Sequence, residues 1–331
     1  MEPAFRHAAF AAGSNLVLTK HSGLRQYSIK SQRDFRLSFH LSGSLLEWGW
    51  MIVSFHPLYE GDINILCAGR EPGHKDLAAM RAASAVILPQ GCPRSLYKMA
   101  RESCRRVFPN YDARFRYPGK IGQIRLFRKI GVAHPKTEIY SGIAQYRALC
   151  GETPPMGFPF VFKFDWGGEG DTVFLVNKRI ELEELLDHAD RCERSGQKGF
   201  MLQKFIPCGG RSLRIVVIGE RLISYWRVAE SAESFKANLS KGAKMEANAE
   251  PDLMLKAEKL AEGFCRKSGV NLAGLDVIFD HSESQPAPLL LEINYYFGRF
   301  GLGGSEAYYA ILKDEIGRWL EGAGLKRTDR G

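Results

Sequence analysis

Asp276, Glu292 and Asn294 are the residues of this chain whose types and spacing could act together in chemistry. Two apolar, aliphatic-rich runs, Ala273–Asp280 and Leu289–Asn294, are parted by the loop-like stretch His281–Pro286. They read as a strand hairpin with Asp276 on one strand and Glu292 and Asn294 on the other. A strand's period of two puts Glu292 and Asn294 on one face and turns Ile293 into the core. Three oxygen ligands facing one point suit a hard cation such as Mg²⁺, with nucleotide phosphates completing its shell.

A second group of residues points to phosphate. Phe160–Lys163 is a short apolar strand ending in a lysine, followed by the loop Phe164–Asp171 with Gly167, Gly168 and Gly170, and then by the apolar run Thr172–Val176. Glycines between two strands let backbone N–H groups close over phosphates, because they reach positive φ and carry no obstructing side chain. Lys163 would lie beneath that flap as a phosphate cation. Then come a helix-like segment, Ile180–Cys192, an apolar stretch, Phe200–Pro207, and two strands within Ser212–Arg227 joined by a Gly-Glu turn. The polar loop Phe235–Ala243 follows.

This order resembles the ATP-grasp superfamily, and within it the branch that holds the ribosomal-protein glutamate ligase and bacterial glutathione synthetase. The resemblance runs from about Lys120 to Leu320, and the closing Glu292-Ile293-Asn294 triplet is its most specific part. It implies an α/β and α+β protein: a small parallel α/β pre-lobe, residues 51–118, then an ATP-grasp domain, 119–331, whose two α+β lobes clamp the nucleotide. The flap lobe would cover about 135–204 and the metal-binding lobe about 205–325. It also implies ATP and Mg²⁺ or Mn²⁺ as cofactors. Carried over residue by residue, it gives Lys120 and Lys163 the phosphates, together with Gly167, Gly168 and Gly170 of the flap. Gln203, Lys204, Phe205 and Ile206 match the hinge whose backbone reads adenine, the N–H and C=O of Lys204 counting for more than its side chain. Asp276, Glu292 and Asn294 match the metal ligands, and Asn238 a residue reaching the same cluster. Arg214, Arg227 and Lys236 match basic residues that meet the reacting carboxylate or its acyl phosphate. Two positions depart from the pattern. Ser212 stands where the branch usually has an acidic ribose contact, and a hydroxyl bonds a ribose more weakly than a carboxylate does. Lys204 stands where some members carry an acid.

Composition fits a globular protein. The chain has 331 residues, 45% hydrophobic and 25% charged, enough for two or three lobes with their own cores. No run approaches the roughly 18 apolar residues that a membrane helix needs. The net charge of +9 is dispersed and not interleaved with aromatics, so a small phosphate-bearing ligand accounts for it without a nucleic-acid or membrane partner. The seven cysteines form no CxxC pair, which points to free thiols in a reducing cytoplasm. Homo-oligomerisation stays open.

The first fifty residues differ from the rest, with six Lys or Arg against three acids and no sustained helical or strand period. They are expected to be a disordered or spurious extension, with the folded protein starting at Met51. From there Ile63–Ala68 reads as a strand, His74–Ala83 as a helix, Ala85–Leu88 as a strand and Arg94–Cys104 as a helix, an alternation that builds a small parallel sheet. Gly122–Ile130 reads as a helix stopped by Gly131.

The chemistry that follows from the resemblance is carboxylate–amine ligation. A carboxylate is a poor acceptor for an amine because oxide would have to leave, so transfer of the γ-phosphoryl group to a small-molecule or peptide carboxylate first makes an acyl phosphate and ADP, and the amine then attacks its carbonyl and releases phosphate. The same clamp could serve a hydroxyl acceptor as a phosphotransferase, or bind nucleotide without turnover. Tyr295–Ser305, with its aromatics and Arg299, hints at a substrate with an anionic group and a flat or apolar part.

Overall fold

In the computed structural model, the described residues are 50–151, 153–167, 170–229, 244–247, 249–282 and 285–325, with the backbone of two strands near the start of the chain. Those strands, β1 (Asn15–His21) and β2 (Leu24–Lys30), pair antiparallel within the unit Met1–Gly49. Neither strand is among the elements read from the sequence. Everything below concerns the second unit, Trp50–Gly331.

Its first lobe is a parallel sheet in the order β4-β3-β5-β6, formed by β3 (Ile52–Ser54), β4 (Ile63–Asn64), β5 (Ala85–Ile87) and β6 (Val107–Phe108). The helices α1 (His74–Ala82) and α2 (Arg94–Ser103) are the crossovers that parallel pairing requires. β4 is much shorter than the strand expected over 63–68. It is the sheet edge, both its residues are exposed, and the chain turns at Gly69 with φ +75°.

A short helix, α3 (Asp112–Arg116), leads to α4 (Gly119–Ile130). α4 starts three residues earlier than its apolar pattern suggests, so Lys120 lies inside the first turn. Gly119 permits this: its φ is +70°, and a Cβ there would lie 2.4 Å from Oδ1 of Asp165. That carboxylate accepts the N–H of Ile121 at 2.7 Å, capping the helix from the flap.

The second lobe is an antiparallel sheet, β7-β10-β8-β9, made of β7 (Thr137–Tyr140), β8 (Phe160–Phe164), β9 (Val173–Val176) and β10 (Phe200–Lys204). Phe160, Phe162 and Phe164 alternate onto the face covered by α5 (Ile143–Cys150) and α6 (Arg179–Arg194), where Phe162 stacks on Phe200 at 4.8 Å. Val161 and Lys163 therefore face the other way.

The third lobe is a five-stranded antiparallel sheet in the order β13-β12-β11-β14-β15. Its strands are β11 (Arg211–Ile218), β12 (Arg221–Val228), β13 (Lys244–Glu246), β14 (Leu272–Asp280) and β15 (Ala287–Asn294). Leu213, Ile215, Val217, Leu275, Val277 and Ile293 bury one face against α7 (Pro251–Ser268). The opposite face packs Val216 and Ile218 under α8 (Gly304–Gly322), and beyond them the period of two leaves Ser212, Arg214, Arg227, Asp276, Glu292 and Asn294 facing the flap lobe.

Between β3 and α8 lies a buried histidine. His56 Nδ1 accepts the N–H of Leu58 at 3.1 Å, and its ring meets that of Tyr309 edge-on at 5.9 Å. Burial, with Arg299 and Lys313 nearby, lowers its pKa from 6.5 to about 4. The unfolded chain binds a proton there below pH 6.5 and the folded one does not, so stability falls as pH drops from 6.5 to about 4. The loss reaches on the order of 3 kcal/mol. His56→Asn, which keeps an acceptor for Leu58, is expected to flatten the melting temperature across that window. An unchanged acid slope would assign the sensitivity to other groups.

Candidate functional site

The flap lobe and the five-stranded sheet enclose a cavity of about 530 Å³. Lys120, Lys163, Gly167, Gly170, Gln203, Lys204, Phe205, Ile206, Ser212, Arg214, Arg227, Asp276, Glu292 and Asn294 all line it. These are the residues singled out from the sequence, apart from Gly168, Lys236 and Asn238, which lie outside the described residues.

Asp276 is its electrostatic centre. β11–β14 register sets Arg214 directly opposite it, and Nε of Arg214 donates to Oδ1 at 2.6 Å while Nη2 donates to Oδ2 at 3.2 Å. Arg227, opposite Ser212 on the next strand, reaches Oδ1 at 2.7 Å and donates to the Ser212 hydroxyl at 3.1 Å. Asn294 donates its Nδ2 to Oδ2 at 2.9 Å. Burial works to raise the Asp276 pKa, but the two guanidiniums outweigh it and hold the carboxyl below its ordinary range. Arg227 Nε is the one buried side-chain donor among the described residues without a partner, in a wall of the cavity.

The Glu292 side chain makes no hydrogen bond or ion pair with a described residue. Burial and the neighbouring Asp276 raise its pKa, opposed by Lys163, Lys120 and Arg214. Lys163, on the facing lobe, is buried, and desolvation lowers its pKa to about 8 against the pull of Glu292. Lys120 lines the same cavity and reaches across to the flap. Its Nζ donates to the carbonyls of Trp166 and Gly167, both at 3.0 Å, and to the Thr172 hydroxyl at 3.4 Å, pinning the flap to α4.

The oxygens fit a hard cation in part. The Glu292 carboxylate and Asn294 Oδ1 are not held by described residues, whereas both Asp276 oxygens are, so Asp276 can join them only by releasing an arginine. Among the described residues no three His, Cys, Asp or Glu side chains cluster as a metal centre.

At the hinge, the backbone N–H of Lys204 is already given to the Lys136 carbonyl at 2.8 Å, so it is not free to read a base. The Lys204 side chain approaches Asp280 at 3.6 Å, and Gln203 bonds Thr137 at 2.9 Å. Sequence reasoning missed the apolar walls: Val161, Ile278 and Leu291. Val161 and Ile278 sit two residues from Lys163 and Asp276 on the same strand faces, a period that would have found them. Leu291 could not be found that way. Asp276 pairs with Glu292 but Val277 with Leu290, so Leu291 is the extra residue of a β-bulge, and it lines the cavity beside its neighbour Glu292.

A family model for the RimK-like ATP-grasp domain matches residues 119–312, and the chain belongs to that family. It is 29% identical over 147 residues to a probable alpha-L-glutamate ligase of Parasynechococcus marenigrum, covering 44% of this chain and 29% of the relative. It is 28% identical over 149 residues to beta-citrylglutamate synthase B of Danio rerio, covering 45% of this chain and 35% of that protein. The chain thus spans well under two thirds of either relative. Among solved structures, a RimK domain ATP-grasp protein from Sphaerobacter thermophilus superposes with a TM-score of 0.52 at 20% identity, over 70% of this chain and 81% of that one. The D-cycloserine synthetase DcsG superposes with a TM-score of 0.52 at 14% identity, over 73% and 85%. At these identities the likeness is one of fold, and the fold is ATP-grasp.

Proposed function

We propose that this chain is an ATP-dependent carboxylate–amine ligase that works through an acyl phosphate and releases ADP and phosphate. The observation that carries the reading is the cavity itself. Lys163 comes from one lobe and Arg214 and Arg227 from the other, beside the carboxylates of Asp276 and Glu292 and the amide of Asn294. Such a site holds polyanions and spreads charge. Phe205 and Ile206, past the committed N–H of Lys204, are the hinge positions left for the adenine edge, between the apolar walls of Val161, Ile278 and Leu291.

Glu292 and Asn294 Oδ1 would hold Mg²⁺ or Mn²⁺, joined by Asp276 when an arginine turns to the substrate. A cation bound there neutralises phosphate oxygens as charge shifts. Lys163 and the flap N–H groups orient the phosphates, and Arg214 and Arg227 hold the carboxylate whose oxygen attacks the γ-phosphorus as ADP leaves. The amine then attacks the carbonyl carbon, the C–O bond to phosphate breaks, and the amine gives up a proton. Seven free thiols fit a reducing cytoplasm, and no described helix is long and apolar enough to cross a membrane.

The test is ADP and phosphate release by the purified chain with pooled small carboxylic acids, with and without pooled amino acids. Ligation requires phosphate release that depends on the added amine. Lys163→Ala is expected to weaken ATP binding about tenfold to a hundredfold, the range for losing a charge-assisted hydrogen bond. Unchanged nucleotide affinity in that variant would remove Lys163 from the site.

A further inference from the structure

Thr172 stands behind the wall of the main cavity, where the glycine flap returns to β9. It does not line the cavity, although Lys120, Lys163, Gly167, Gly170 and Val173 around it do. Its backbone carbonyl accepts the N–H of Phe164 at 3.1 Å, one step beyond the Lys163–Val173 pair that ends the β8–β9 ladder. Its hydroxyl donates to the carbonyl of Trp166 at 2.6 Å and so ties the two ends of the flap together. The approach is close enough to need a glycine. A Cβ on Gly167, whose φ is +82°, would lie 2.5 Å from Cγ2 and 2.7 Å from Oγ1 of Thr172.

The same hydroxyl accepts from Lys120 at 3.4 Å. An ammonium has three protons to donate, and those of Lys120 go to this hydroxyl and to the carbonyls of Trp166 and Gly167. Held in this way, Lys120 reaches a phosphate only by giving up some of these acceptors. What that costs depends on the partners each acceptor keeps. Gly167 is exposed, so water can replace the ammonium at its carbonyl. The Thr172 hydroxyl loses an accepted bond but keeps the one it donates. The carbonyl of Trp166, a half-buried residue, is the acceptor that would be stranded, and it is the one that Thr172 already serves.

We propose that Thr172 is a positioning residue for nucleotide binding: its hydroxyl satisfies the Trp166 carbonyl in place of Lys120 and so releases the Lys120 ammonium to the phosphates. This rests on the nucleotide site proposed above. Thr172 touches no substrate and acts through Lys120. Asp165, which caps α4 through the N–H of Ile121 at 2.7 Å, holds the helix against the flap while the ammonium turns. Without the hydroxyl, the Trp166 carbonyl depends on the ammonium alone, and the phosphates compete with it for the same protons.

The experiment measures ATP affinity of the full chain by calorimetry in the presence of Mg²⁺, with the stoichiometry reporting the folded fraction. Thr172→Val, which keeps the shape and removes the hydroxyl, should raise Kd about three- to tenfold. Thr172→Ser, which keeps the hydroxyl, should restore most of the wild-type affinity, a rescue that a mere packing role would not give. Lys120→Met should raise Kd about tenfold to a hundredfold. Adding Thr172→Val to Lys120→Met should change Kd by less than about twofold, because the residue through which Thr172 acts is already gone. Wild-type affinity in Thr172→Val or in Lys120→Met overturns the positioning role and leaves the nucleotide site standing. So do equal losses in Thr172→Val and Thr172→Ser, or a Thr172→Val effect undiminished in the Lys120→Met background. Wild-type protein that binds no ATP overturns the site and the role with it.

Discussion

Asp276→Asn is expected to be the most destabilising single substitution in the site, at about 3 to 5 kcal/mol. Asn keeps the shape and can still accept a hydrogen bond, so the change isolates the charge. Without it, Arg214 and Arg227 remain buried side by side with no anion between them, and their repulsion and desolvation are uncompensated. Removing one partner of a buried ion cluster costs far more than the cluster contributes relative to an apolar core. For a unit of this size the melting temperature should fall by on the order of 10 °C. Asp190→Asn, which breaks the exposed pair with Arg194, is the matched control and should cost under about 1 kcal/mol. Equal melting temperatures for the two variants would mean that the arginines do not depend on Asp276.

That triad shows where the sequence stopped being readable. Period-two alternation is local, so Glu292 and Asn294 could be assigned to one strand face, and the lone lysine of an apolar strand, Lys163, could be set beneath a glycine flap. The partnership of Arg214 with Asp276 depends on β11 and β14 being neighbours, although they stand 62 residues apart and are not consecutive in the chain. Nothing in the periodicity of either strand encodes that adjacency. The bulge at Leu291 was hidden for the opposite reason. Leu289, Leu290 and Leu291 are the same residue, so the pattern looks alike with or without an inserted position.

Lys120 and Lys204 show a further limit. Residue type identified both as cations or backbone donors near phosphate and base, and both line the cavity. Which hydrogen bonds they make was set by neighbours that sequence distance conceals: the flap carbonyls for the Lys120 ammonium, and Lys136, just before β7, for the Lys204 N–H. Lys120 therefore sits between two possible sets of acceptors, the flap carbonyls present here and the phosphates of the proposed substrate. Both stabilise an ammonium that burial alone would disfavour, since desolvation lowers its pKa.

Glu292→Gln should separate stability from function in the opposite sense to Asp276→Asn. Burial and the adjacent Asp276 raise the Glu292 pKa. A carboxyl with a raised folded-state pKa loses its proton in the unfolded chain first, so above the unfolded pKa its negative charge works against folding. Replacing it by a neutral isostere removes that penalty, and no described hydrogen bond is lost with it. The melting temperature at neutral pH is expected to stay the same or rise slightly, within about 1 kcal/mol of wild type. Turnover should nevertheless fall on the order of a hundredfold or more, because the anionic oxygen proposed to hold the cation that neutralises the phosphates is gone. Calorimetric melting and ADP release on the same preparation check both halves. A variant that keeps wild-type turnover would take Glu292 out of the chemistry, and one that melts well below wild type would show that its charge is part of what holds the lobes together.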